Sequence, residues 1–382
     1  MNILLFYDCV YPESLGGVEH RNRELARALA ARGHHVTLAG FASGPSRPFE
    51  GVEILPVGPR GRLYSPEGKR STLSAARLAW GAARLDLRRF DVIETANIPY
   101  AHLWPLALRC RRLGKPLIVT WHEYWGLYWK QYLGWKWPLY AAFERATVRL
   151  GTRAIAVSRL TAQRVQAHRK DEVKVIPNGI PYERIRASAT EGAATPGPPL
   201  IYAGRLLKEK RLDLLLGALQ RLLASFPEPW TGPLLDIIGE GPDRERLEDL
   251  VRRLNLGGFV SFLGHLPSNV DVWRKLGGAK IAVQPSSREG FGLFPLEAMA
   301  AGLPVVYCES SESALTELVE PGVHGLCTAA EPEPLAQALG RLLGGEGERV
   351  RTAEAAREHA SGFDWGAVAG WVENVFAGAM RT

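Results

Sequence analysis

Short, almost wholly apolar runs alternate along this chain with amphipathic stretches long enough to be helices, and the alternation occurs twice. The first case is Ile3 to Tyr7, a loop with Gly16-Gly17, an amphipathic stretch from about His20 to Arg32, then His35-Val36-Thr37-Leu38-Ala39. A strand buried on both faces reads as a continuous apolar run, and parallel neighbours need a crossover helix, so this is a β-α-β signature. Runs at Val52 to Val57, Asp91 to Thr95, Pro116 to Thr120, Ala154 to Val157 and Val173 to Ile176 continue it, with helical text at Thr72 to Arg88 and His102 to Arg112. At residues 187–199 the periodicity gives way to Ala, Ser, Thr, Gly and Pro, where a linker is expected. The alternation then restarts: Leu200 to Ala203, helix Leu212 to Leu223, Leu234 to Ile238, helix Arg244 to Leu254, Val260 to Leu263, Ala279 to Gln284, helix Pro295 to Ala300, Val305 to Cys308. Helical stretches follow at about Pro334 to Leu343, Arg349 to His359 and Trp365 to Ala379. A chain of 382 residues also exceeds what one hydrophobic core fills. The expected fold class is α/β: two Rossmann-like doubly wound domains, residues 1–186 and 200–362, facing a cleft that takes ligands at the carboxyl ends of the strands.

Composition removes several function classes. Hydrophobic residues at 46%, charged at 23% and a mean hydropathy of -0.09 are globular values. No apolar run is long enough to span a bilayer, and Met1 to Asp8 has neither a basic leader region nor a cleavage site, so a cytoplasmic protein is expected. The four cysteines, Cys9, Cys110, Cys308 and Cys327, form no C-x-x-C, which fits reduced thiols rather than a zinc site. Residues 1–184 hold 28 Lys and Arg against 15 Asp and Glu, whereas residues 185–382 hold 19 against 25. That division fits either a solvated Arg-rich surface or one domain facing an anionic acceptor or membrane. Nucleic acid is not an expected partner, because no helix-turn-helix, RRM or zinc-finger signature occurs.

Chemistry concentrates at Arg288-Glu289-Gly290-Phe291-Gly292-Leu293-Phe294-Pro295-Leu296-Glu297. A strand ends near Gln284 and a helix is expected from about Pro295, so two carboxylates bracket a helix N-terminus. Backbone N–H groups there can hold a phosphate or sugar hydroxyl, and Glu289 and Glu297 can accept hydrogen bonds from polyols. Taken alone, Glu297 could be an acid favoured by the helix dipole; the length of the whole pattern weighs toward function. Arg205 and Lys210, just past the run Leu200 to Ala203, carry the charge that stabilises a leaving diphosphate, though a solvated pair would look the same. His122 sits after the run Pro116 to Thr120, and His122-Glu123-Tyr124-Trp125-Gly126 is not H-E-x-x-H. No G-x-G-x-x-G surrounds Gly16-Gly17, which disfavours NAD, and no Asp-x-Asp occurs, so no metal cofactor is expected.

In these segments the chain resembles the retaining family 4 glycosyltransferases of GT-B fold, whose E-x7-E motif matches Glu289 to Glu297. Further landmarks of that family lie in Tyr202-Ala203-Gly204-Arg205 with Lys210, Ile238-Gly239-Glu240-Gly241-Pro242, Phe262-Leu263-Gly264, Ala156-Val157-Ser158, Pro177-Asn178-Gly179 and Gly16-Gly17-Val18-Glu19. The resemblance implies transfer of a hexose from a nucleotide-diphosphate sugar, UDP or GDP, to a glycan or lipid-linked acceptor of the kind used in cell-envelope synthesis, with retention and without metal. By the same resemblance, Arg205 and Lys210 contact the diphosphate, Glu289 the transferred sugar and Glu297 the ribose. His122 faces the sugar; Gly16, Gly17, Gly204, Gly290, Phe291, Gly292 and Leu293 bind the donor; and the helix at about 364–380 packs back on the first domain. A GT-B sugar-nucleotide epimerase and a catalytically silent binding partner are the alternatives. The segment 121–140 holds Trp121, Trp125, Trp129, Trp135 and Trp137, and spacings 121, 125, 128, 129 and 132 suggest one helical face. With Lys130, Lys136 and the basic stretches Arg60, Arg62, Lys69, Arg70 and Arg109, Arg111, Arg112, Lys115, it fits a peripheral contact with an anionic membrane, a glycan-stacking wall or core.

Overall fold

The computed structural model describes residues 1–10, 16–42, 48–59, 61, 63, 71–226 and 230–381. The chain divides into two compact units, Met1–Gly179 with Trp365–Thr382, and Ile180–Asp364. The first holds β1 (Asn2–Cys9), β2 (His35–Phe41), β3 (Val52–Gly58), β4 (Val92–Ala96), β5 (Leu117–Trp121), β6 (Arg153–Ala156) and β7 (Val173–Val175). They form a parallel sheet in the order β3-β2-β1-β4-β5-β6-β7. Alternate side chains go to opposite faces. Ile3 and Leu5 of β1 join one core with Leu25, Ile118 and Ile155, while Leu4 and Phe6 join another with Leu78, Leu106 and Val119.

The helix Trp365–Met380 belongs to this first unit. Its Trp365, Val368, Val372 and Phe376 are buried in the same core as Ile3 and Leu5, and Arg32 pairs with its Glu373 at 2.6 Å. Gly179 has no room for a side chain, since a Cβ there would lie 2.6 Å from the Trp365 ring.

The second unit holds β8 (Leu200–Ala203), β9 (Leu235–Ile238), β10 (Val260–Gly264), β11 (Ile281–Gln284), β12 (Val305–Cys308) and β13 (Gly325–Thr328). All pairings are parallel, in the order β10-β9-β8-β11-β12-β13. Both sheets therefore reverse strand order once beside their first strand, between β1 and β4 and between β8 and β11, where doubly wound sheets place ligands. Among the described residues no helix is long and apolar enough to cross a membrane.

Residues 187–199 are not the division between the units: the helix Tyr182–Gly192 takes up the first six of them, and the division falls at Gly179 and Ile180. The small residues that look like loop text are there for close packing, because a Cβ on Gly192 would collide with the Arg274 carbonyl and one on Gly277 with the Ala189 carbonyl. The strand β13 and the helix Asn269–Gly278 also went unread. β13 is a short edge strand whose four residues, Gly-Leu-Cys-Thr, carry no periodic signal; the helix announces itself only by Ser268, whose hydroxyl caps the Asp271 N–H at 3.3 Å. Gly192→Ala should accordingly destabilise the second unit by about 1–3 kcal/mol through overpacking. The check is the denaturant midpoint, which should fall at unchanged slope; an unmoved midpoint would show that the two helices can separate freely.

Candidate active site

At the switch point of the second sheet, loops from four strands are stitched together. The Lys210 Nζ lies 2.6 Å from the Glu289 Oε2, and the Gln284 Nε2, at the end of β11, donates to the same oxygen at 3.0 Å. The pair is neither sealed nor free, its side chains being 18% and 16% exposed. Beneath it, the Ser287 N–H donates to the Glu209 carbonyl at 2.9 Å, the Ser310 hydroxyl donates to the Ser287 carbonyl at 2.5 Å, and the Ala314 N–H donates to the Glu289 carbonyl at 2.9 Å. Glycine makes this approach possible: Gly239 has φ +127°, and a Cβ there would collide with the Gly204 carbonyl, as one on Gly241 would with that of Leu206. Arg205 stands exposed directly after Gly204.

The helix that carries the second carboxylate starts at Leu293, two residues before the expected Pro295, with Gly292 at φ +105° as its cap. A side chain on Gly292 would strike Leu315 at 2.6 Å. Phe291 is buried, its ring 6.3 Å from that of Phe363. Glu297 is half-buried, and burial pushes its carboxyl up to about 7 against the partial relief from the Trp273 side chain.

In the first unit, His122 follows β5 and its N–H donates to the Asn97 Oδ1 at 3.2 Å. Its Nε2 is buried and, among the described residues, has no hydrogen-bond partner. Burial, and after it the positive charge of Arg21, hold the imidazole well below its usual range, so it is neutral at pH 7. Arg21 is itself buried and pairs with Glu94 at 3.0 Å, and Thr120 donates to the same carboxylate oxygen at 2.6 Å. Gly16 and Gly17 open the helix Gly17–Ala31, with the Gly16 carbonyl accepting from the His20 N–H; the preceding loop, 11–15, lies outside the described residues.

The aromatic segment is not one helical face. Trp121 ends β5 and is fully buried, and positive φ at Gly126 and Gly134 breaks the rest into the short helices Gly126–Tyr128, Trp129–Leu133 and Gly134–Lys136. Trp129 is core rather than surface. Its indole donates to the buried Glu144 at 3.0 Å, and the same carboxylate accepts from the Tyr100 hydroxyl at 2.7 Å and from the Trp125 and Gly126 N–H groups, each at 2.8 Å. Trp135, by contrast, is 85% exposed. Of the basic stretches, Arg109, Arg111 and Arg112 lie on the helix Leu103–Leu113, while Arg60, Arg62, Lys69 and Arg70 lie outside the described residues.

Gln284, Arg21, Glu94, Thr120 and Glu144 escaped the sequence reading. A signal existed for three of them: Gln284 closes an apolar run, and Glu94 and Thr120 sit inside buried strands, where an unpaired polar side chain would be costly.

Two parallel doubly wound units with a charged cluster at a switch point define a GT-B type of sugar-transfer protein. The chain belongs to the glycosyltransferases: the model Glycosyltransferase Family 4 matches residues 15–184 and Glycosyl transferases group 1 matches 184–359. A glycogen synthase of Mycobacterium tuberculosis is 36% identical over 212 residues, 55% of this chain and 49% of that protein. A D-inositol 3-phosphate glycosyltransferase of Streptomyces griseus is 32% identical over 220 residues, 55% and 45% of the two chains. The chain thus spans about half the length of the curated relatives it matches. The same fold appears in sucrose-phosphate synthase from Thermosynechococcus elongatus, with TM-score 0.82, 21% identity and coverage of 100% and 99%. It also appears in Anabaena HepE in complex with UDP-glucose, with TM-score 0.76, 21% identity and coverage of 99% and 100%.

The raised Glu297 carboxyl fixes a sign for pH dependence. The folded state holds this proton more tightly than the unfolded one, so the stabilisation it gives is complete below the ordinary value of 4.5 and is lost as pH rises through about 7. Against wild type, Glu297→Gln should show a flatter stability curve between those limits. Parallel curves from denaturant titrations at pH 5 and pH 8 would mean that the carboxyl titrates normally.

Proposed function

We propose that this chain is a retaining glycosyltransferase that moves a hexose from a UDP- or GDP-sugar to a glycan or lipid-linked acceptor without a metal ion. The observation that carries the reading is the half-buried Lys210–Glu289 pair at the β8–β11 switch point, placed by the glycine-stitched loops of a family that transfers sugars. That Anabaena HepE is seen with UDP-glucose supports the donor class.

Each residue has a task that its surroundings suit. As the bond between the anomeric carbon and the phosphate oxygen breaks, negative charge grows on the diphosphate, and Lys210 and Arg205 stabilise it. Glu289 holds Lys210 in place and accepts hydrogen bonds from the sugar, with Gln284 fixing its carboxylate. The neutral His122 donates from Nε2 to a sugar hydroxyl, a partner that atom otherwise lacks among the described residues. Glu297 binds the ribose hydroxyls, and the backbone of Gly290 to Leu293 meets sugar and phosphate. The acceptor hydroxyl attacks from the face the diphosphate leaves, passing its proton to the departing phosphate oxygen, which retains the anomeric configuration. No carboxylate nucleophile is required. Absence of Asp-x-Asp supports the metal-free reading.

Lys210→Ala and Arg205→Ala should each lower kcat with UDP- or GDP-sugars by about 100-fold or more while leaving thermal unfolding near wild type. Turnover should survive EDTA, and the product anomer seen by proton NMR should match the donor. Wild-type rates in both variants would remove the diphosphate assignment, and activity lost to EDTA and restored by Mg would remove the metal-free one.

A further inference from the structure

The first unit exposes more apolar surface than its own fold uses. Trp104 is 43% exposed, Leu108 51%, Leu139 72% and Phe143 38%, and Trp135 stands one turn before Leu139. Four of these side chains lie on two helix faces that meet, and with Trp135, just before the helix Trp137–Thr147, they make up a strip. Leu139 and Phe143 are four apart on the helix Trp137–Thr147, Trp104 and Leu108 are four apart on the helix Leu103–Leu113, and the Phe143 and Trp104 rings meet at 6.2 Å. The strip stands on a rigid base, because Glu144, next in sequence to Phe143, is the buried carboxylate whose four accepted hydrogen bonds tie down Tyr100, Trp125, Gly126 and Trp129.

The charge around the strip has one sign. Residues 101–150 contain eight Lys and Arg and two acids, and of the acids Glu144 is buried and Glu123 half-buried. Arg111, Arg112, Lys130, Lys136 and Arg145 are exposed, and the Lys136 ammonium lies 5.5 Å from the centre of the Trp135 ring. A protein partner's interface core is depleted in charged residues, lysine among them. Tryptophan and leucine fringed by lysine and arginine, with no exposed carboxylate among them, instead match the boundary of an anionic bilayer, where rings enter the headgroup layer and cations meet phosphates.

We propose that this strip, from Trp135 through Leu139, Phe143 and Trp104 to Leu108, seats the first unit on an anionic phospholipid bilayer. It deepens the transferase reading by choosing the lipid-linked class of acceptor, and rests on that reading only for its use, since docking itself requires no nucleotide sugar. The residues that dock are not those the aromatic density suggests: Trp129 and Trp121 are core, and Trp135 and Leu139 do the work.

The full chain should sediment at low salt with phosphatidylcholine vesicles containing phosphatidylglycerol, fail to sediment with pure phosphatidylcholine, and release at high salt. Lys130→Ala with Lys136→Ala should lower the partition coefficient about 25-fold, at about fivefold per cation. Trp135→Ala with Leu139→Ala should lower it about tenfold at unchanged unfolding temperature, because both side chains are exposed in the folded chain. Absent binding to phosphatidylglycerol vesicles at low salt overturns the proposal, as do folded variants that bind like wild type. A self-association that the same substitutions dissolve, without vesicle binding, would assign the strip to a second copy and overturn it equally. Donor turnover with a soluble acceptor is measured separately, so failure to dock and failure to transfer are told apart.

Discussion

The switch point of the second unit depends on backbone lying directly against backbone at the carboxyl ends of β8 and β9. A chain with side chains at Gly239 and Gly241 could not bring its loops onto the carbonyls of Gly204 and Leu206. Without that approach, the turn ending in Lys210 could not rest on the Ser286-to-Glu289 segment, and an ammonium and a carboxylate 79 residues apart would not meet. The Lys210–Glu289 contact is the visible result of a steric condition set elsewhere. Its half-buried position matters as well: a fully exposed pair contributes little, and a sealed one could not reach a ligand.

Most of the sheet is legible in the sequence for a physical reason. Parallel strands covered on both faces are mostly apolar, and β1, β4, β5, β8, β11 and β12 are, with Glu94, Thr120 and Gln284 among the few polar side chains inside them. Legibility fails where burial is achieved without apolar side chains. The helix Tyr182–Gly192 packs by smallness, so Ser188, Ala189 and Gly192 read as loop text although they are buried. At β13 only Gly325 is buried and the other three residues are half-buried, so four residues carry neither an apolar run nor an alternation.

The site divides along the same line. Glu289 and Glu297 stand in one long pattern, Arg205 and Lys210 just past a separate apolar run, and the structure brings Lys210 and Glu289 into contact. The residues that hold others in place are harder to see. Glu94, Arg21 and Thr120 lie on three different elements, and nothing in the text between them records that one carboxylate collects the other two. Glu144 is a stronger case, because a glutamate on an amphipathic helix reads as a solvated face, yet this one points inward and gathers four donors. It also explains why so many aromatics fit in so short a span: the carboxylate supplies the polar partner that an inward Trp indole and Tyr hydroxyl need.

The helix Trp365–Met380 has a consequence for how the chain is made. It supplies Trp365, Val368, Val372 and Phe376 to the core beneath β1, so the first unit to leave the ribosome lacks one side of that core until nearly the whole chain has been translated. The second unit, continuous from Ile180 to Asp364, has all its pieces sooner. Order of synthesis and order of completion are thus reversed, and for the duration of about 185 residues of translation, at roughly 5–20 residues per second, the nascent first unit lacks the four side chains that this helix adds to the core of Ile3, Leu5 and Ile118.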